Sequence, residues 1–107
     1  RFDLAWTLIL ADAHVGSSYR DAILGEYERL AGAEVEHLGP FEVFACVRRL
    51  LDAVISLTRG PEARGMRPET VAVMKQETKA YARVYEMLQE RTALRIPEVE
   101  ALLASLD

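Results

Sequence analysis

Between Phe41 and Thr58 the chain reads F-E-V-F-A-C-V-R-R-L-L-D-A-V-I-S-L-T. Its polar residues are nearly confined to one strip: Glu42, Arg49, Asp52, Ser56 and then Arg59, at spacings of seven, three, four and three, with Arg48 the one departure. Phe41, Phe44, Cys46, Val47, Leu50, Leu51, Val54, Ile55 and Leu57 cover most of the remaining circumference. The spacing predicts a helix over 41–58, about 27 Å long at ~1.5 Å per residue. A surface helix carries one apolar stripe, whereas a helix apolar on most sides is wrapped by neighbours. The other elements are therefore expected to pack around this one.

Phe2 to His14 is the second strongly apolar segment. Asp3, Thr7 and His14 share a narrow face, Asp12 is the other polar residue, and Phe2, Leu4, Trp6, Leu8, Ile9 and Leu10 surround them. Asp3 is placed as an N-cap or first-turn carboxylate, where it meets free backbone N–H groups and the positive end of the helix dipole. Gly16-Ser17-Ser18 supplies a stop and a new start. Ser18–Ala31 repeats apolar residues at Tyr19, Ile23, Tyr27 and Leu30, an amphipathic pattern ending at Gly32. A loop is predicted over 33–40, with Glu34 and Glu36 as solvated loop residues. Another loop or single turn is predicted between Gly60 and Arg67. Pro68 and Glu69 open what reads as the longest helix, to about Thr92, with Tyr81 and Tyr85 as core aromatics on its apolar face. Pro97 begins a last helix through Val99, Leu102, Leu103 and Leu106. Val and Ile never alternate with polar residues over a useful length, so no strand is expected. The prediction is an all-α domain of about five helices packed around the buried helix 41–58.

The 107 residues form one domain or part of one. Half are hydrophobic and 28% are charged, a globular balance. The net charge of −4 opposes a general nucleic-acid surface, which is normally basic, and is compatible with a cationic small-molecule partner. Cys46 is the sole cysteine, so neither an intrachain disulfide nor a thiolate zinc site can form. Set among apolar neighbours, it reads as an inert buried thiol. No run of about 18 apolar residues marks a membrane span, and no signal peptide is visible; the expected location is the cytoplasm. Because the chain begins at Arg1 with helical pattern starting at once, it reads as processed, or as a piece of a longer protein.

Catalytic signals are sparse. Gly60-Pro61 and Gly65 lack the spacing and the Lys-Ser/Thr of a phosphate loop. His14 and His37 are the only histidines. Asp12 and His14, two apart on a helix, point about 200° apart, which disfavours chelation by the pair. No G-x-S-x-G elbow occurs.

The wording of several segments adds a resemblance. Arg1-Phe2-Asp3-Leu4-Ala5-Trp6 looks like the R-F-D-L-A-W run that follows the metal-binding segment of aminoglycoside phosphotransferase-like kinases, a group that includes choline and homoserine kinases. Phe41-Glu42-Val43-Phe44 with Arg48-Arg49-Leu50, then Gly65-Met66-Arg67-Pro68-Glu69, and Leu88 through Leu103 resemble the C-terminal helices of the same group. The similarity runs through the whole chain in order.

The resemblance implies the C-terminal helical subdomain of a protein-kinase-like fold. The family transfers the γ-phosphate of ATP, with Mg²⁺, to a hydroxyl of an aminoglycoside or related acceptor. Its catalytic and metal-binding aspartates would precede Arg1, as would its nucleotide-binding lobe, so this chain by itself would be inert and hold no cofactor. Asp3 matches the aspartate of the family's D-L-A motif, which supports the catalytic loop through backbone N–H groups. Its implied role is scaffolding. Asp12 and His14, at the exit of the first helix, are the candidates for facing the acceptor cleft. The implied partners are the missing lobe and catalytic segment of the parent and a small-molecule acceptor, with no nucleic acid and no membrane. Lacking that segment, the chain is expected to leave apolar surface on Phe2–Ala13, where Trp6, Leu8 and Leu10 cannot all be covered, and to compensate by oligomerising or rearranging. The rival reading, from a different class, is an independent helical ligand-binding or dimerisation module, such as the effector domain of a transcriptional regulator.

Overall fold

The computed structural model describes residues 1–59 and 70–106. The described residues form helices and connecting turns, without strands: α1 (Phe2–His14), α2 (Ser17–Ala31), α3 (Leu38–Arg59), α4 (Thr70–Gln76), α5 (Thr78–Arg91) and α6 (Pro97–Leu106). The helices pack against one another as an all-α domain, as the apolar periodicity predicts.

Local chemistry sets the ends. Gly16, between α1 and α2, has φ 147°, a conformation open to glycine and strained for other residues. Gly32 closes α2 in the left-handed conformation, φ 74°, and its N–H donates to the Glu28 carbonyl. The Glu28 carboxylate then accepts the Val35 N–H at 2.8 Å, tying the following loop back to α2. The central helix begins three residues earlier than predicted, at Leu38, so Gly39 and Pro40 lie in its first turn. A proline is tolerated there because the first turn's N–H groups have no intrahelical acceptor.

The core brings Ala5, Leu8 and Ile9 of α1 against Ala45, Cys46 and Leu50 of α3 and Val84, Met87 and Leu88 of α5, with Val99 of α6 closing one end. Helix α3 touches α1, α4, α5 and α6, and is the hub of the fold. Helix α2 rests on α1 and has no buried residue of its own. Tyr81 and Tyr85 are both buried, the first in a satellite cluster with Ala53 and Leu102.

Two expectations are corrected. Among the described residues, the predicted helix 68–92 is broken at Glu77 into segments of 7 and 14 residues, and the longest helix is α3, with 22. At the break, the Thr78 hydroxyl donates to the Lys75 carbonyl at 3.1 Å, a side-chain bond of the kind that competes with the helical ladder. Glu77 itself is drawn toward His14 Nε2 (3.4 Å) and Arg49 Nη2 (3.8 Å). The other correction concerns the circumference of α3. Its polar strip turns inward at Glu42 (4% exposed) and Ser56 (1%), while Phe44 (59%) and Leu51 (51%) face solvent. Polarity alone suggests the reverse; partner charges explain Glu42, as shown below. The loop predicted over 60–67 and the start at Pro68 and Glu69 lie outside the described residues.

Candidate functional site

The N-terminal turn of α1 carries the most chemically varied surface. Arg1 takes the N-cap position without a side-chain cap, and Asp3 follows in the first turn, exposed. Thr7 donates its hydroxyl to the Asp3 carbonyl at 3.0 Å, so the Asp3 backbone is engaged locally. Beside it Phe2 meets Trp6 (centroids 6.2 Å apart) and, edge to face, Phe44 of α3 (5.4 Å, 69° between planes). The Arg48 guanidinium lies 6.0 Å from the centre of the Phe2 ring. Phe2, Asp3, Trp6, Arg48 and Asp52 line an open hollow of about 390 Å³. A neighbouring hollow of about 400 Å³ is bounded by Phe2, Pro40, Phe41 and Phe44. The result is an aromatic, partly open face with two carboxylates and one guanidinium at its edge.

Helix α1 covers its apolar residues unevenly. Leu8 is completely buried, whereas Trp6 and Leu10 are only half-buried. The amphipathic α2 shields one side of α1, and α3 and α5 shield the others.

Asp12 and His14 sit at the opposite end of α1 and part company. Asp12 is buried and accepts two bonds from Arg83 of α5, Nε to Oδ1 at 2.9 Å and Nη2 to Oδ2 at 3.2 Å. Arg83 extends the network to Glu86 (2.7 Å) and Glu90 (3.1 Å). These hydrogen bonds, those donated to Asp12 foremost, raise the guanidinium pKa further above its ordinary value, so the ion is permanent. His14 remains exposed at the helix C-terminus, near Glu77. The hollow bordered by Asp3 is thus built without either residue.

A second buried charge sits on α3. Glu42 receives Arg20 Nη2 of α2 at 2.9 Å on one carboxylate oxygen and Arg91 Nη2 of α5 at 2.7 Å on the other. A carboxylate this deep is stable only because both oxygens meet cations. Sequence reading placed Glu42 on the polar strip without its partners, since Arg20 and Arg91 are 22 and 49 residues away. Similarly, Arg48 stood out as the one charge off the strip, and the structure gives that departure a use, against the Phe2 ring.

Cys46 is buried, and burial pushes its thiol up to about 11, leaving no thiolate at neutral pH. Among the described residues no group of three or more His, Cys, Asp or Glu side chains is arranged to hold a metal ion. No described helix is long and apolar enough to cross a membrane. Compared with known proteins, the chain matches no family model, no curated protein and no solved structure.

Proposed function

We propose that the chain is the C-terminal helical, acceptor-side part of an ATP-dependent small-molecule phosphotransferase that modifies a hydroxyl of an aminoglycoside-like acceptor in the cytoplasm, and that it is inert alone. The observation that supports this reading is the placement of the R-F-D-L-A-W run. Phe2 and Trp6 stand on a partly open aromatic face with Asp3 exposed at its edge. Apolar area of this kind, rimmed by polar residues, is suited to receive another segment. In the proposed parent that segment would carry the catalytic loop, and Asp3 would accept its backbone N–H groups. ATP and Mg²⁺ would bind on the preceding part of the parent, as the resemblance implies. Asp12 would support the acceptor side through its ion pair with Arg83, and His14 would remain the exposed candidate for contact with a cationic or hydroxylated acceptor.

The test is to read the coding frame upstream of Arg1 and express the whole frame. The reading expects an H-G-D loop with a downstream Asn, an Asp-Trp segment just before Arg1, and ATP-dependent phosphorylation within a panel of aminoglycosides, choline and homoserine. Asp3→Asn in the whole protein would lower kcat with little change in acceptor KM, as befits a residue acting through the catalytic loop. A start codon directly before Arg1, or an unrelated upstream domain such as a helix-turn-helix, would overturn it. The rival binding-module reading draws on a different observation, the hollow between α3 and α6 lined by Leu51, Val54, Ile55 and Leu102, about 620 Å³.

A further inference from the structure

Helices α3 and α6 leave an open groove between them. Its walls are Leu51, Val54 and Ile55 of α3 with Ala101 and Leu102 of α6, around the hollow of about 620 Å³. Wall positions recur at steps of three and four, the spacing that receives the ridges of a third helix. A smaller hollow of about 170 Å³, between Leu50, Ile96 and Val99, continues the groove past Leu51. Glu98 borders both hollows and Arg59 only the larger one, so Glu98 marks the inner end and Arg59 the outer. From Leu51 to Arg59 is about 12 Å at ~1.5 Å per residue. The rim hydroxyls are engaged within their own helices, Thr58 donating to the Val54 carbonyl and Ser105 to that of Leu102. Arg59 and Glu98 are exposed, and neither makes a hydrogen bond or ion pair with a described residue. Among the described residues the groove is thus an apolar floor with an unpaired cation at one end and an unpaired anion at the other.

Opposite charges at the two ends narrow the occupant. An alkyl chain brings one head group and leaves the other charge unanswered. A helix answers both, because acidic side chains are favoured in its first turn and basic ones in its last. Helix α6 starts at the Glu98 end and runs toward Arg59, so a helix with its acidic end on Arg59 lies antiparallel to α6, the favourable alignment of dipoles. We infer that this groove binds an amphipathic helix of a partner protein, antiparallel to α6. Its first-turn acid pairs with Arg59, its last-turn base pairs with Glu98, and a large apolar side chain enters the inner hollow. A second copy supplies no such helix. Among the described helices only α1 joins an acid in the first turn, Asp3, to a base in the last, His14, and α1 is packed in the core. Helices α2, α3, α4 and α5 have no acid in the first turn, and α6 has no base in its last. The inference stands apart from the phosphotransferase reading.

The test is fluorescence anisotropy at low salt on the 107-residue chain, with a labelled, lactam-locked helical peptide of about 14 residues. The peptide carries leucines at steps of three and four, glutamates in its first turn and lysines in its last. Saturable binding in the micromolar range is expected. Ala101→Glu, at an exposed wall position, weakens it by about a hundredfold, because a carboxylate enters the apolar seam. Arg59→Glu and Glu98→Lys each weaken it by about tenfold through like charges. A second peptide, with lysines in place of the first-turn glutamates, regains the affinity against Arg59→Glu and loses it against the wild type. Orientation is read on the wild-type chain, independent of how any variant folds. A nitroxide on the acidic end of the peptide broadens the amide resonances of Thr58 and Ser105 and spares that of Glu98. No binding up to about 1 mM peptide, binding indifferent to the charge reversals, or the opposite orientation overturns the inference. So does dimerisation of the chain alone that Ala101→Glu abolishes, which makes the occupant a second copy. Displacement of the peptide by an equal concentration of decanoate also overturns it, in favour of an alkyl chain.

Discussion

Asp12 and Arg83, 71 residues apart, are joined by two parallel hydrogen bonds that fasten the end of α1 to the middle of α5. Asp12 is nearly sealed from water while Arg83 keeps an open side toward Glu86 and Glu90. Losing the cation strands the more buried partner, which carries the larger penalty. Arg83→Met should therefore destabilise the fold more than Asp12→Asn, by about 2–3 against about 1–2 kcal/mol. Urea unfolding of both variants checks the order, and Arg83→Lys, which loses the fork, falls between them.

Glu42 answers to two arginines. Its replacement by Gln removes the charge that Arg20 and Arg91 share and leaves two guanidinium groups facing one neutral amide. The expected loss is about 2–3 kcal/mol, less than for a wholly buried pair because both arginines retain some contact with water. For a domain of this size that lowers the melting temperature by about 4–8 °C per kcal/mol. The double variant Arg20→Met with Glu42→Gln should recover part of the loss, which a thermal scan would detect.

Tyr81 and Tyr85, one helical turn apart, should respond oppositely to loss of the hydroxyl. The Tyr85 hydroxyl donates to Glu100 at 2.7 Å and accepts the Ile96 N–H at 2.9 Å, pinning the link before α6. The Tyr81 hydroxyl is buried and has no hydrogen-bond partner among the described residues. Tyr85→Phe costs about 1–2 kcal/mol, since it orphans the Ile96 N–H and leaves Glu100 to Arg95 alone, whereas Tyr81→Phe is neutral or stabilising by up to about 1 kcal/mol. Equal losses in chemical denaturation would contradict this assignment.

Cys46 predicts an alkaline limb. Burial raises its folded pKa to about 11, above the value near 9 of a free thiol. The folded state holds the proton more tightly, so this contribution is complete below pH 9 and is lost as pH rises through about 11. Desolvation raises the Tyr81 phenol as well, and its contribution fades in the same direction. Stability should fall from about pH 9 upward and fall less steeply in Cys46→Ala. At neutral pH a thiol reagent should label Cys46 only at the rate of opening.

The helices were legible because apolar spacing is a local property. Phe2–His14, the second helix from Ser18 to Ala31, and the start at Pro97 read correctly to within a residue or so. The break at Glu77 was not legible, because its chemistry joins Glu77 to His14 and Arg49, far off in sequence. For the same reason the pairing that buries Glu42 and Asp12 was not legible: it is set by arginines on other helices, and no spacing along one helix reports that. Asp3 fell where expected, in the first turn of α1, but its neighbours Arg48 and Asp52 come from α3, so the hollow itself could not be foreseen.

Arg83 and Arg91 stand eight residues apart on α5, about 12 Å along its axis, and each enters a separate buried acid, Asp12 on α1 and Glu42 on α3. Apolar contacts between helices tolerate sliding, since one Leu or Val can replace another in the next groove. Two cations at a fixed interval cannot slide: moving α5 by one turn would strand Asp12 and leave Glu42 with Arg20 alone. The helix is keyed like a plug with two pins, and mis-docked arrangements of the same oily faces are rejected by charge before packing is complete.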